Sequence, residues 1–170
     1  ASIALGTLAV NTILLFSGAL PSESYFYSLI QWWMSDTLGI ILVAPLILVW
    51  WKGKNDWREA GKKIEAVLLI GLSILLGQIV FLGWLHESLG QVALGYWMFL
   101  LVTWVAVRLG IRGTVVVLIV AAAQALFGAI QGTGFFADDI AQTHLANYWF
   151  YILSLSVTGM ALSTYLTERK

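Results

Sequence analysis

The run VVVLIVAAAQALFGAI, residues 115 to 130, has no charged side chain and only one polar one, Gln124. It does not alternate as a strand of a transmembrane barrel must, and as a helix it leaves no polar face for water. Its natural solvent is a hydrocarbon core, which a helix crosses with roughly 17 to 25 residues. Six apolar segments of this kind occur, at 1 to 19, 28 to 51, 64 to 84, 91 to 108, 113 to 131 and 146 to 166. With 60% hydrophobic and 11% charged residues, a water-soluble domain would lack the polar surface to cover itself. The expected fold is therefore an all-α integral membrane protein, a polytopic bundle of about six transmembrane helices forming a single domain over 1–170.

Positive charge orients the bundle. Lys52, Lys54, Arg58, Lys62 and Lys63 fall between the second and third segments, Arg108 and Arg112 bracket the next turn on that side, and Arg169 and Lys170 end the chain. These are all nine Lys and Arg residues, so the positive-inside rule predicts a cytoplasmic basic loop at 52–63 and two cytoplasmic termini. The opposite loops hold Glu23, His86, Glu87, Asp138, Asp139 and His144, and the stretch 132–145 is expected to be periplasmic. Asp56 and Glu59 have capping-box spacing ahead of the third segment. The basic cluster beside them reads as a topology signal with snorkelling lysines, or as a site for lipid headgroups or phosphate.

Zero net charge offers nothing to nucleic acid, and the absence of cysteine removes disulfides, thiol catalysis and thiolate metal sites. No intramembrane Ser–His pair, paired acids, HExxH motif or phosphate-cradling glycine loop occurs, so no catalytic residue and no cofactor are expected. Asp138, Asp139 and His144 have side chains that bind metals, but their spacing matches no ligand motif, and a solvated loop is the plainer reading. A haem held by His86 and His144 is a remoter one. Ser17, Gly18 and Ala19 imitate a signal-peptide cleavage site, but nothing basic precedes the first apolar run.

The candidate switch lies in QWWMSDTLGIILVAPLILVW, residues 31 to 50. Asp36 stands well inside a predicted span, roughly fifteen residues or about 22 Å of helix from its cytoplasmic end. A carboxylate in hydrocarbon is costly, so it should face the bundle or a wet cavity. Two readings stand: it senses a ligand or proton, or it makes structural bonds to neighbours such as Asn11, Gln78 or Gln124. Pro45 removes a backbone donor and crowds the carbonyl of Ile41, giving the same helix a place to bend. Trp32, Trp33, Tyr96 and Trp97 belong to an aromatic-rich outer half that also includes Tyr25, Phe26, Tyr27, Trp84, Phe135, Phe136, Tyr148, Trp149 and Tyr151. Such residues form an interfacial belt or line a pocket for an apolar or aromatic ligand.

Small residues predict packing. Ala121, Ala125, Gly128 and Gly132 fall on one face of the fifth segment, and Ser156, Gly159 and Ser163 on one face of the sixth. Such faces let helix backbones approach closely, inside the bundle or across a dimer seam.

The segment WWMSDTLGIILVAP, with Trp33, Asp36, Leu38, Gly39 and Pro45 in order, resembles the signature of the MASE1 family of bacterial membrane-associated sensor domains. RLGIRG, Arg108 to Gly113, resembles its basic turn, and GTGFF, Gly132 to Phe136, its glycine-rich outer loop. Phe135 stands where that family commonly has proline, and the family's first helices are not matched here, so a C-terminal part of the domain is expected. The resemblance implies a sensor in the bacterial inner membrane that answers a small-molecule or protein signal. It further implies a cytoplasmic histidine kinase or diguanylate cyclase in cis and a homodimer, and it moves Asp36 towards the sensory reading. ALSTYLTERK has no Gly or Pro, so the last helix is free to continue towards such an output domain. Part of a transporter and a passive dimerising anchor are the alternatives; no internal repeat of the kind common in carriers is evident.

Overall fold

The computed structural model describes residues 2–18, 21, 25–51, 60–84 and 91–168. Every regular element among them is helical: α1 (Ser2–Phe16), α2 (Tyr25–Trp51), α3 (Ala60–Leu82), α4 (Gln91–Gln131), a 3-10 turn (Gly134–Phe136), α5 (Asp139–Thr143) and α6 (Ala146–Glu168). Four helices are long and apolar enough to cross a membrane, and Gly6–Phe16 is a shorter apolar helix. The Asp56–Glu59 capping box, most of the basic loop, Glu23, His86, Glu87 and the two terminal basic residues lie outside the described residues.

The chain divides into two compact units, Ala1–Ile41 and Leu42–Lys170. The first contains α1 and most of α2. α2 continues as one helix through Pro45 to Trp51, so the bend expected there is not a break. Pro45 nevertheless leaves the Ile41 carbonyl without its helical donor, and Ile41 is the last residue of the first unit.

In the second unit α4 carries the architecture, because it is two helices joined at one residue. Gly110 has φ 63° and ψ −161°, a left-handed conformation that glycine adopts without a Cβ clash. A Cβ on Gly159 of α6 would lie 2.6 Å from Val102 and 3.7 Å from Leu118. Along one straight helix those two residues would stand about 24 Å apart at ~1.5 Å per residue, so the chain reverses at Gly110. The turn expected between 108 and 113 thus narrows to a single non-helical residue. Each arm, 91–109 and 111–131, is roughly 30 Å long. The Thr114 hydroxyl donates to the Gly110 carbonyl at 2.9 Å and supplies a partner just past the break.

α3 and α6 pack against α4, and the buried residues Phe81, Met98, Val105, Leu118, Ala125, Ile152 and Leu155 fill the space between them. Glycine sets the closest approaches. A Cβ on Gly128 would fall 2.0 Å from the Phe81 carbonyl oxygen, so no larger residue fits against this part of α3. Ala121, Ala125 and Gly128 are buried, which places the small-residue face of the second arm inside the unit. Gly132 is not part of it: it is exposed beyond the helix end at φ 66°. Ser156, Gly159 and Ser163 are buried together, and Gly159 seats α6 against both arms of α4.

The basic turn ties helix ends together. Arg108 Nε donates to Glu65 on α3, and Arg112 Nη2 reaches the Val49 carbonyl in the last turn of α2 at 3.5 Å. Thr167, near the end of α6, lies against Gly110.

Candidate functional site

In the first unit a ladder of polar pairs joins α1 to α2. Thr7 donates its hydroxyl to Asp36 Oδ2 at 3.3 Å, Ser28 donates to Asn11 Oδ1 at 2.7 Å, and the Thr12 and Tyr25 hydroxyls meet at 3.1 Å. The Asn11 amide donates to the Thr7 carbonyl at 2.9 Å, and both Asn11 and Thr7 are buried. The spacing along the two helices makes them antiparallel, with Asp36 at the far end from Tyr25. Within this unit the partner of Asp36 is Thr7, not Asn11; Gln78 and Gln124, the other expected neighbours, belong to the second unit, where the Gln124 amide donates to the Ile74 carbonyl on α3. Asp36 is exposed, as are Trp32 and Trp33 on the same helix. The sensory and structural readings of Asp36 both remain compatible with this geometry.

Tyr96 and Trp97 belong to the second unit, on the first arm of α4, and both are exposed, as is Trp84. Other aromatics of that unit turn inward and converge. Phe136, 2% exposed, stacks on Phe81 at 6.0 Å and meets Phe135, Tyr148 and Tyr151 edge-on. Phe99 joins through Tyr151 at 5.5 Å. Two hydrogen bonds fix the tyrosines: Tyr151 donates to the Gly95 carbonyl at 2.7 Å and Tyr148 to the Ala122 carbonyl at 3.2 Å. The aromatic set therefore separates into an outward group suited to an interfacial belt and an inward cluster beneath the 132–145 loop.

The loop is built to close over that cluster. Gly132 and Gly134 take φ values of 66° and 70°, and a Cβ on Gly134 would strike the Phe81 carbonyl oxygen at 2.1 Å. The 3-10 turn forms with Phe135 as its middle residue. Asp139 is not a solvated loop residue: it is 5% exposed, and its carboxylate accepts the Tyr148 backbone N–H at 2.8 Å, the Asn147 amide at 2.8 Å and the Thr143 hydroxyl. It caps α6, whose first N–H groups have no intrahelical partner. His144 and Leu145 between them take left-handed conformations, φ 52° and 70°, that bring the carboxylate to the helix. Asp138, one residue earlier, is exposed. Among the described residues no three of His, Asp and Glu converge as a metal site.

Beside the cluster lies a cleft of about 420 Å³ whose lining includes Phe135, Phe136, Phe150, Tyr151, Asp138, Asp139, Gln142 and Asn147. Phe81, Phe99 and the capping role of Asp139 were not evident from sequence. The two phenylalanines sit within apolar runs, and Asp139 reaches a backbone group nine residues away rather than the two or three of an ordinary cap.

These features define a helical membrane protein with a closed aromatic cluster at one end of its larger unit. The MASE1 family model matches residues 1–170, the whole chain, and the chain belongs to that family of membrane sensor domains. No curated protein and no solved structure matches it.

Proposed function

We propose that this chain senses a signal in the bacterial cytoplasmic membrane and transmits it to an enzyme, a histidine kinase or diguanylate cyclase, that follows in the same polypeptide. The observation that carries the reading, beside family membership, is the course of α6. This helix runs unbroken for 23 residues, about 35 Å. One end is capped by Asp139 and bonded through Tyr148 and Tyr151 to both arms of α4, and the other lies beside the Gly110 turn. A ligand that repacks the aromatic cluster would shift a rod whose far end points at the output domain, provided it binds two arrangements with different affinity.

In this reading the chain crosses six times, the two arms of α4 counting separately and α1 being the shortest crossing. The end with Lys63, Arg108 and Arg112 is cytoplasmic and the 132–145 loop periplasmic. The working unit is a homodimer in the bilayer. A lipid surface would not satisfy the exposed Asp36 carboxylate, which supports a further protein surface against α2. Asp36 belongs to the switch, with the weakened turn between Ile41 and Pro45 as its hinge.

The test replaces 1–170 in the full-length protein by an unrelated dimeric membrane segment. Loss of signal-dependent output with basal activity retained is expected; unchanged regulation would reduce the domain to an anchor. Movement of the signal molecule across liposomes containing the protein would instead favour transport.

A further inference from the structure

We propose that the cleft under the 132–145 loop is a binding site for a small organic cation, an amine or quaternary ammonium group carried on an apolar or aromatic body. The proposal deepens the sensory reading and rests on it for its biological role, but the site itself stands on local chemistry.

At about 420 Å³ the cleft falls within the range of roughly 300–1,000 Å³ typical of small-molecule sites. Part of its lining is aromatic: Phe135 and Tyr151, with the buried Phe136 between α3 and α6, are held by mutual contacts of 4.8 to 5.7 Å, so their rings are placed before any ligand arrives. Ring faces carry negative quadrupole density and attract cations placed within about 6 Å. Asp138 adds an exposed carboxylate to the lining, and Asp139 a buried one that accepts from Tyr148, Asn147 and Thr143. No Lys or Arg occurs between Arg112 and Arg169, and His144 is the one basic side chain on these segments. A cleft with low-dielectric walls and charge of one sign concentrates ligands of the opposite sign. An anion would meet the exposed Asp138 carboxylate here, and a purely apolar molecule would cover Asp138 and Gln142 without offering them partners.

Tyr151 is a residue of α6 and donates to Gly95 on α4, and Phe136 stacks on Phe81 of α3. A ligand in the cleft borders Tyr151 and, through it, a set of contacts that joins three helices.

The experiment titrates the protein, in nanodiscs of zwitterionic lipid, with benzyltrimethylammonium, with benzyl alcohol and with benzoate, following heat and intrinsic fluorescence. Saturable binding of the cation at least tenfold tighter than benzoate is expected. Asp138→Asn should weaken it about fivefold, and Gln142→Lys, which sets a positive charge at the side of the cleft, should abolish it. Both positions are exposed, so either variant alone decides if the other fails to fold. Absence of saturable cation binding, equal binding of benzoate, or cation binding untouched by the variants would overturn the site. Signal-dependent output from the full-length protein without cation binding overturns the cleft and leaves the sensory reading standing. Binding that responds to the variants upholds the cleft even where output does not follow, and that silence would count against the sensory reading instead.

Discussion

The Tyr151 hydroxyl donates a 2.7 Å hydrogen bond to the backbone carbonyl of Gly95, tying the first turns of α6 to the start of α4. A helical carbonyl already has its i+4 donor, so this bond uses its second lone pair. Space at this position is tight: a Cβ on Gly95 would sit 3.1 Å from the Phe135 ring, which would have to give by a few tenths of an ångström. Tyr151→Phe keeps the ring contacts and removes only the hydroxyl. It should lower stability by about 1 kcal/mol, read from denaturant titration in detergent.

Asp138 and Asp139 give a sharper contrast. Asp139→Ala strips three donors of their acceptor and uncaps α6, and should cost about 2–3 kcal/mol. Asp138→Ala, at an exposed position, should stay within about 0.5 kcal/mol. Equal losses in the two unfolding curves would contradict the capping role.

Gly128→Ala should be among the more damaging single-methyl additions, since the new carbon would stand 2.0 Å from the Phe81 carbonyl oxygen. Separating the helices is expected to cost about 1–3 kcal/mol. Gly39→Ala, in α2, meets nothing within 4 Å and should be neutral or stabilising through helix propensity. Melting temperatures of the two variants in one detergent make the comparison.

Orientation is open to labelling because the chain has no cysteine of its own. A membrane-impermeant maleimide added to intact spheroplasts should modify Gln142→Cys and spare Asn55→Cys until the cells are opened. Equal modification of both from outside would reject the proposed topology.

Asp36→Asn keeps the side-chain shape and removes the charge that accepts from Thr7. If Asp36 belongs to the switch, the variant should fold, reach the membrane and show a changed dose or amplitude in a chimera with a cyclase or kinase. A wild-type response would make the carboxylate structural.

The apolar segments were enough to establish a helical membrane protein, because only a helix or a closed barrel satisfies backbone groups in lipid and these runs do not alternate. Local chemistry also marked the turn at RLGIRG, where Gly110 takes a conformation that suits glycine, and the small-residue faces at Ala121, Ala125 and Gly128 and at Ser156, Gly159 and Ser163. It offered Asn11, Gln78 and Gln124 as partners for Asp36 and did not name Thr7, whose hydroxyl donates to the acid. What tertiary structure decided was which side of each helix faces inward. In lipid the outside is as apolar as the inside, so hydrophobic pattern does not separate exposed Tyr96 and Trp97 from buried Phe81 and Phe136. Two adjacent aspartates likewise have identical intrinsic chemistry. Only the left-handed turn at His144 and Leu145 carries Asp139 back onto the end of α6 while leaving Asp138 in the open.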